Sequence, residues 1–391
     1  DFLPVIRETV DQLPTATVRC EYSARAPEWS RVQRILLIDK ENGGKADALN
    51  AALNAARGAY VCSMDADSVL VPEALKHVVQ PILDEPSELV AMGVQIAVSN
   101  GSEVQGGQIG AVRLPESTIA RIQVVEYMRS FTQNRTALGQ LNLLLILSGA
   151  FAVFQRDLLL VVGGFLTPHL RTRVGVEYAG LNAHTVSEDM EVVVRIHRYL
   201  RDHGRVGRIR LLPEPLAWTE VPENMADLGK QRSRWQRGLL ECLWLHRKMM
   251  FRRKFGAVGR VALPYQLVFE ALTPLVEAYG ILILPISVLV GILAWKHLLA
   301  LTVLAFALNV LLSVGSIAAA TWAERSRLAT APTSRLFAYD RPGDLIRLTL
   351  AAVAENLVYR QVLLWWRLRG TWDFLRSKRG WDKFGRKGFV A

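Results

Sequence analysis

Short apolar runs alternate with helix-like segments in the first part of the chain. Val32–Ile38 and Gly58–Met64 are mainly apolar runs, as in strands buried within a parallel sheet. Lys45–Ala56 has Ala, Leu and Asn at helical spacing, and Pro72 suits the first turn of a helix over 72–79. This alternation predicts an α/β fold with a mostly parallel sheet, whose ligands bind at the carboxyl ends of the strands.

The same periodicities predict further elements along the chain. They are a helix end over 4–12, strands over 18–22 and 143–154, and helices over 188–200 and 225–250. The α/β pattern therefore extends to about residue 224, where a long basic helix begins.

From residue 278 the pattern changes to long apolar segments. Ala278–Trp295 has 18 residues. As a helix it would be about 27 Å long, close to the ~30 Å hydrocarbon core of a bilayer. His297–Trp322 is longer and equally apolar, so the two predict a transmembrane hairpin with its turn at 295–297. Asp344–Trp366 is interrupted by charges, and three interpretations stay open: a re-entrant helix, an interfacial helix, or a crossing whose partner span lies outside this sequence.

These changes predict three regions. Residues 1–224 form the α/β domain, 225–262 form basic interfacial helices, and 263–391 hold the hairpin, the ambiguous helix and a basic tail. A soluble domain joined to a membrane part explains the uneven apolar content better than one large globule.

The basic residues lie beside the apolar region. The formal net charge is +11, with clusters over 230–260 and 367–387. No zinc spacing or recognition-helix pattern accompanies them, so nucleic acid is not an expected partner. Basic residues beside spans indicate cytoplasmic loops and a lipid bilayer with anionic headgroups. Three dispersed cysteines indicate a reducing compartment. We expect a multi-pass protein of the inner (plasma) membrane with its first region in the cytoplasm.

Two carboxylates, Asp65 and Asp67, directly follow the apolar run 58–64. At the end of a buried strand they could hold a hard divalent cation against a diphosphate. A polar turn after a strand explains Asp-x-Asp equally simply, and taken alone that explanation is the stronger one.

Glu188 and Asp189 follow Ser187 at the start of a predicted helix. Helix capping and the macrodipole favour Ser followed by acids, and alone that interpretation suffices. The functional alternative is a carboxylate that accepts the proton of a hydroxyl nucleophile.

Gln231, Arg234 and Trp235 share one face of the predicted basic helix at i, i+3 and i+4. An amide and a guanidinium could hold a diphosphate, and an indole could provide a flat surface for a sugar ring. The alternative is an interfacial helix with a Trp anchor at the headgroups.

Lys45 follows Gly43-Gly44 at the start of a helix. Backbone amides and an ammonium there could approach phosphates. The spacing is not that of a Walker A loop, and a simple turn before a helix is the stronger interpretation if nothing else supports the site.

The order of these motifs is more specific than any one of them. It runs through Asn42–Asn50, Asp65–Asp67, Ser148–Phe151, Glu188–Asp189, Gln231–Trp235 and the apolar segments. In this order the chain resembles the family 2 inverting glycosyltransferases over about residues 32–391, and within them the processive membrane branch of hyaluronan, chitin-oligosaccharide, poly-N-acetylglucosamine and cellulose synthases.

The resemblance implies a GT-A-like nucleotide-sugar-binding domain and a role for each matching residue. On the donor side, the implied roles are nucleotide contact by Lys45, donor contact by Asp65, binding of Mg2+ or Mn2+ by Asp67 with Asp65, and diphosphate binding by Gln231 and Arg234. On the acceptor side, Asp189 beside Glu188 would be the general base. Trp235, Ser148 and Gly149 would bind the acceptor. The implied reaction transfers a sugar from a UDP-sugar to a growing glycan with inversion. UDP-N-acetylglucosamine is one candidate donor.

The family's first strand motifs, a Tyr-Asn-Glu-like segment and Asp-Asp-Gly-Ser, do not stand in this sequence. Glu21 and Asp39 are the nearest carboxylates and are not convincing substitutes. We expect an incomplete record of a longer sequence rather than a degraded donor pocket. Two alternatives remain: a transferase that adds one sugar to a lipid acceptor, and a catalytically silent scaffold. An export partner protein also stays open.

Overall fold

In the computed structural model of the chain, the described residues are 17–22, 35–105, 107–169, 172–181, 183–330, 339, 341–378 and 380. The strands are β1 Thr17–Tyr22, β2 Ile35–Asp39, β3 Tyr60–Met64, β4 Ser68–Leu70, β5 Leu89–Val98, β6 Val104–Gln105, β7 Gln108–Ile109, β8 Phe151–Gln155 and β9 Arg208–Thr219. The α-helices are α1 Lys45–Ala55, α2 Ala74–Asp84, α3 Thr118–Arg129, α4 Thr136–Gln140, α5 Arg156–Val161, α6 Arg173–Ala179, α7 Glu188–Asp202, α8 Met225–Leu245, α9 Leu263–Tyr265, α10 Thr273–Leu289, α11 Trp295–Thr330, α12 Pro342–Ala354 and α13 Arg360–Leu375.

A mixed five-stranded sheet in the order β3-β8-β5-β9-β4 forms the centre of the α/β domain. Its β5–β9 pair is parallel, whereas the β3–β8, β5–β8 and β4–β9 pairs are antiparallel. The expectation of a mostly parallel sheet is therefore wrong. Local alternation of strands and helices does not reveal that β8, far along the chain, inserts antiparallel between β3 and β5.

Two predicted strands differ from expectation in their partners or extent. Residues 35–38 of the apolar run lie in β2, which pairs antiparallel with β1 rather than joining the central sheet. The predicted strand over 143–154 begins only at Phe151, because residues 149–150 form a turn and 143–148 have no regular secondary structure. An apolar run predicts burial, but the partner strand is decided elsewhere in the chain. The predicted helix end at 4–12 and the tail beyond 380 lie outside the described residues.

The main hydrophobic core lies between the sheet and helices α2, α5 and α7. All ten residues of β5 are buried. Val192, Val193 and Ile196 place one side of α7 in the same core. The amino-terminal end of α7 thereby reaches the ends of β3 and β8, where the candidate site residues lie.

Two helical segments in the described residues are long and apolar enough to cross a membrane, as judged by length and composition. They are Val258–Leu289 and Trp295–Ala323, each with only 6% of its most apolar window buried. The first starts about 20 residues before the predicted Ala278 and includes π-helical turns at Val258–Ala262 and Gln266–Ala271. The turn lies at 290–294 rather than at 295–297, because Trp295 already begins α11.

The ambiguous segment after these helices docks on the α/β domain. Leu348, Ala351 and Ala352 of α12 pack in one cluster with Val124 and Val125 of α3. Glu355, which interrupts the apolar run, is buried and accepts two bonds from Arg129 at 3.0 and 2.7 Å. Its charge is thus used for docking within the protein.

Candidate active site

Three side chains from separate elements meet at the end of β3. Lys45, the first residue of α1, places its Nζ 2.6 Å from Oδ1 of Asp65 and 3.1 Å from Oε1 of Glu188. Gly44 before it has φ of +90°, a backbone conformation that glycine adopts readily. Asp65 follows β3 directly, and Glu188 is the first residue of α7. One ammonium thus links the sequence segments near 45, 65 and 188.

Asp189 is held by donors on both of its oxygens. Oδ2 accepts a hydrogen bond from the backbone N–H of Gly149 at 3.3 Å. Oδ1 accepts from the backbone N–H of Met190 at 2.8 Å and from the Ser187 hydroxyl at 3.4 Å. These donors orient the carboxylate beside the Lys45 cluster.

A side chain on Gly149 would displace the Lys45 ammonium from the centre of this cluster. A Cβ there would lie 2.5 Å from Nζ of Lys45, 3.6 Å from Oδ2 of Asp189 and 3.7 Å from Oδ2 of Asp65. The neighbouring Ser148 accepts a hydrogen bond from the N–H of Ala150 at 3.3 Å. The Ser148-Gly149 turn that interrupts the predicted strand therefore has a definite use, since it lets the backbone approach the carboxylates.

Burial and charge shift the pKa values of this cluster. Burial, followed by the negative charge of Asp189, raises the pKa of Glu188, and Lys45 opposes the shift. Burial alone would lower the pKa of Lys45, but the charges of Glu188, Asp65 and Asp189 outweigh it and raise the pKa. Burial lowers the pKa of Arg234, although the same three carboxylates act to raise it. Arg234 of α8 therefore lies within electrostatic range of the cluster.

Helix α8 carries Gln231, Arg234 and Trp235 past this cluster. Gln231 is buried, whereas Trp235 is 40% exposed and offers a ring to the solvent side. Close contacts at its glycines fix the helix: a Cβ on Gly238 would lie 2.6 Å from Cβ of Ser187, and one on Gly229 would lie 2.3 Å from the ring of Trp366. The predicted motif thus stands between the start of α7 and helix α13.

The Trp235 ring is further supported by a residue that the sequence did not single out. The Arg232 guanidinium lies 4.6 Å from the ring centroid. It forms an ion pair with Glu126 at 2.5 Å, and the Tyr359 hydroxyl donates to the same carboxylate at 3.1 Å. Arg232 lies within the predicted motif, but its partners are more than 100 positions away and left no local signal.

Arg135 is a second residue that the sequence did not reveal. It ends the π-helix Ser130–Arg135. Burial lowers its pKa, while Asp189 is the first of the charges that oppose the shift. A cation therefore lies within electrostatic range of Asp189, on a segment that carries no recognisable motif.

The carboxylates Asp65 and Asp67 fit a metal that arrives with a phosphate ligand. The described residues hold no group of three or more His, Cys, Asp or Glu side chains placed to bind a metal. Mg2+ is commonly held by one or two carboxylates together with substrate phosphates and water. Asp65 directly follows β3, and both carboxylate oxygens of Asp67, two residues later, are inaccessible to solvent. This pair of hard oxygen donors suits such an ion.

A mixed α/β sheet with a cluster of carboxylates at its edge, next to a Gln-x-x-Arg-Trp helix, defines the class of protein. The chain belongs to the family described as glycosyltransferase like family 2, whose model matches residues 2–238. This match covers more than half of the chain and confirms the family predicted from the order of the motifs.

Among known proteins, the chain is similar to poly-beta-1,6-N-acetyl-D-glucosamine synthases. It is 27% identical to that of Staphylococcus aureus (strain COL) over 248 residues, which cover 62% of this chain and 49% of the relative. To that of Staphylococcus epidermidis it is 27% identical over 220 residues, with 55% and 44% covered. The matched part thus spans about half the length of these relatives.

One solved structure that the chain matches is the mannosyltransferase PcManGT from Pyrobaculum calidifontis, in complex with GDP-Man and Mn2+. It is 17% identical, with 96% of this chain and 84% of that chain covered, at a TM-score of 0.42. At this TM-score the likeness supports no conclusion about the site of this chain.

Proposed function

We propose that the chain is a processive inverting glycosyltransferase. It polymerises a sugar from a UDP-sugar, with UDP-N-acetylglucosamine as the first candidate, into a β-linked polysaccharide. The observation that carries the proposal is the convergence of Lys45, Asp65, Gly149, Glu188 and Asp189 within contact distance. Neither helix capping nor a polar turn requires these distant segments to meet.

In the proposed reaction, Asp189 is the general base. The acceptor hydroxyl loses its proton to the Asp189 carboxylate while its oxygen bonds to the anomeric carbon. The bond from that carbon to the phosphate oxygen breaks, and UDP leaves with the electron pair. Attack opposite the leaving group inverts the anomeric centre, so an α-linked donor gives a β-linked product. Gly149, Ser187 and Met190 aim the carboxylate through their hydrogen bonds.

The donor's diphosphate is the proposed ligand of the cationic residues. Lys45 and Arg234 contribute positive charge beside the carboxylates, and Gln231 adds an amide. Asp67 and Asp65 would hold Mg2+ or Mn2+, which neutralises charge on the leaving diphosphate when bound. Charge neutralisation from both sides makes UDP a better leaving group.

The growing glycan is the proposed acceptor. The exposed Trp235 ring offers a flat apolar surface for a sugar, with Ser148 and Gly149 nearer the reacting centre. We assign residues 1–224 to a cytoplasmic GT-A-like domain, 225–262 to interfacial helices and 263–391 to the membrane region of an inner-membrane protein. Secretion through those helices, with or without an export partner protein, completes the proposal.

A donor screen on the purified full chain tests this function. We expect one UDP-sugar, with Mg2+ or Mn2+, to yield both free UDP and a polymer resolved by size. A product that carries a single added sugar would instead indicate a non-processive transferase acting on a lipid acceptor. No UDP release from any common donor and no UDP binding by calorimetry would indicate a silent scaffold and overturn the proposal.

The base assignment has its own test. We expect Asp189→Asn to lower turnover by about 10²–10⁴-fold, the usual contribution of a positioned base, with UDP affinity nearly unchanged. Asp157→Asn is the matched control, because that carboxylate is 57% exposed. Near-normal turnover of the Asp189 variant would remove this residue from the base role.

A further inference from the structure

A cavity lies at the opposite end of α7 from the cluster around Asp189. It has a volume of about 670 Å³ and lies between α6, the end of α7 and the segment that follows α8. Asp202 on its wall is 13 residues after Asp189, which is about 20 Å along an α-helix. The cavity is therefore separate from the proposed reaction centre.

The cavity walls carry an excess of positive charge. Five Lys or Arg side chains line it against two carboxylates, Glu177 and Asp202, which leaves an excess of three. The five cations are Arg173, Arg198, Lys248, Arg252 and Lys254. A cavity of this composition repels cations and attracts an anionic group.

Two of these cations, Arg198 and Lys254, form ion pairs within the protein. Asp202 pairs with Lys254 at 2.5 Å and with Arg198 at 3.8 Å. Arg198 also stacks on the Tyr178 ring at 4.2 Å and donates to the Tyr178 carbonyl at 2.9 Å. These contacts neutralise Asp202.

The other three cations are available to a ligand. Arg173, Lys248 and Arg252 are all exposed. Among the ion pairs of the described residues, none includes Arg173, Lys248 or Arg252. Three guanidinium or ammonium groups around one cavity match the oxygen atoms of a phosphate ester.

The segment adjacent to the cavity indicates the source of that phosphate. The long apolar segment begins at Val258, four residues after Lys254. Phe251 is 71% exposed and has φ of +61°, an uncommon backbone conformation for a bulky residue. Its N–H donates to the Gly259 carbonyl at 2.9 Å, which ties this exposed ring to the first turn of the apolar segment. Aromatic and basic side chains at the end of an apolar helix are typical of the headgroup layer.

We propose that this cavity binds the phosphate of an anionic phospholipid headgroup. Arg173, Lys248 and Arg252 contact the phosphate, while the exposed Phe251 ring lies among the upper parts of the acyl chains. A zwitterionic headgroup is disfavoured, because its quaternary ammonium would meet the same excess of positive charge.

Native mass spectrometry of the full chain in non-ionic detergent tests the site. Dioleoylphosphatidylglycerol and dioleoylphosphatidylcholine have the same acyl chains, and we expect retention of one phosphatidylglycerol molecule in preference to phosphatidylcholine. Arg252→Gln should weaken that retention about fivefold, the equivalent of roughly 1 kcal/mol for one cation near the surface. The double variant Lys248→Gln/Arg252→Gln should weaken it roughly 25-fold if the two charges add.

Arg253→Gln is the matched control, because Arg253 is adjacent and exposed but does not line the cavity. Equal losses in the two single variants would show attraction to a diffuse basic surface and overturn the proposal, as would equal retention of the two lipids. Displacement of the lipid by millimolar inorganic phosphate or glycerol 3-phosphate would identify a soluble ligand instead and also overturn it. Thermal unfolding of each variant checks the fold. Lipid retention requires no sugar transfer, so this proposal and the proposed function fail independently.

Discussion

Strand β5 is buried along its whole length, whereas the most apolar windows of Val258–Leu289 and Trp295–Ala323 are only 6% buried within the protein. Both regions are rich in aliphatic residues. In the α/β domain these residues cover one another, and in the apolar helices they face outward. A contiguous outward apolar surface of this extent is typical of a protein–protein or membrane interface. Similar composition thus has opposite consequences, depending on whether a complementary surface exists in the same chain.

The two regions also differ in how they treat charge. Glu191 and Arg195 of the α/β domain are fully inaccessible, together with His246, which directly follows α8. Arg195 donates to both Glu191 oxygens at 3.0 and 2.6 Å, and His246 lies 3.1 Å from the same carboxylate. Buried charges persist because they are paired and hydrogen-bonded. The apolar segment 298–323, in contrast, contains no ionisable side chain.

The junction between the two regions should be the most sensitive point. Glu355 is buried against Arg129, which also donates to the Ser313 hydroxyl of α11 at 2.6 Å. Glu355→Gln leaves Arg129 without its counter-charge, and we expect a loss of about 3–5 kcal/mol in the free energy of unfolding. Denaturant unfolding in detergent measures it. The exposed pair Glu103–Arg113 is the control, where Glu103→Gln should cost about 0–1 kcal/mol. Equal effects would mean that burial is not what makes this pair important.

A pair of leucines tests the contrast in burial directly. Leu159 is fully buried in the main core, and Leu304 of α11 is 64% exposed. Leu159→Ala should cost about 2–5 kcal/mol, since it removes packed methyl groups and leaves a cavity. Leu304→Ala should change stability in detergent by no more than about 0.5 kcal/mol. A large loss in the second variant would show that Leu304 packs inside the protein.

Acid should loosen one region and spare the other. Burial lowers the pKa of His197 to about 4, and its Nε2 lies 3.0 Å from the Leu144 carbonyl oxygen. Because the unfolded side chain titrates near 6.5, the unfolded state binds more protons between these values. The stabilisation is complete above pH 6.5 and is lost as pH falls towards 4, by about 3 kcal/mol.

Hydrogen exchange at pH 7 and pH 4.5 measures this effect region by region. We expect faster exchange in the α/β domain at the lower pH and little change over 298–323. His197→Gln should reduce the pH dependence of the domain. An unchanged dependence in that variant would assign it to other groups.

The smallest expected effect is a loss of turnover without a loss of stability, from a substitution in the candidate site. Gly149→Ala places a Cβ 2.5 Å from Nζ of Lys45, so the ammonium must leave its position between Asp65 and Glu188. We expect turnover to fall about tenfold, the equivalent of ~1.4 kcal/mol, with the unfolding midpoint nearly unchanged. Gly280→Ala is the control, because a Cβ there meets no atom within 4 Å. Normal turnover in the Gly149 variant would mean that the Lys45 position is not needed.

Part of the site was predictable from local pattern. Asp65 was expected at the end of a strand and Glu188 at the start of a helix, and both lie there. Such positions suit polar side chains because the ends of elements leave backbone groups unpaired and do not continue an apolar face. The family could be recognised from motif order, which the match over 2–238 confirms. What each residue does in catalysis stays a prediction.

Other features had no local signal. The sheet proved mixed because β8 inserts between β3 and β5, a choice made by complementary faces far apart in the chain. Arg135 lies within electrostatic range of Asp189, and Glu126 forms an ion pair with Arg232. Neither Arg135 nor Glu126 belongs to a recognisable motif.

Helix and strand periodicity, the apolar segments and the charge clusters are properties of consecutive residues, so the amino-acid order alone was enough to establish them. Strand partners, the pairing of Arg129 with Glu355 and the basic cavity at the end of α7 arise from contacts between distant segments. Such contacts depend on which surfaces of distant segments pack against each other and are removed from water. That is a property of the folded chain as a whole, and so only the tertiary structure could decide them.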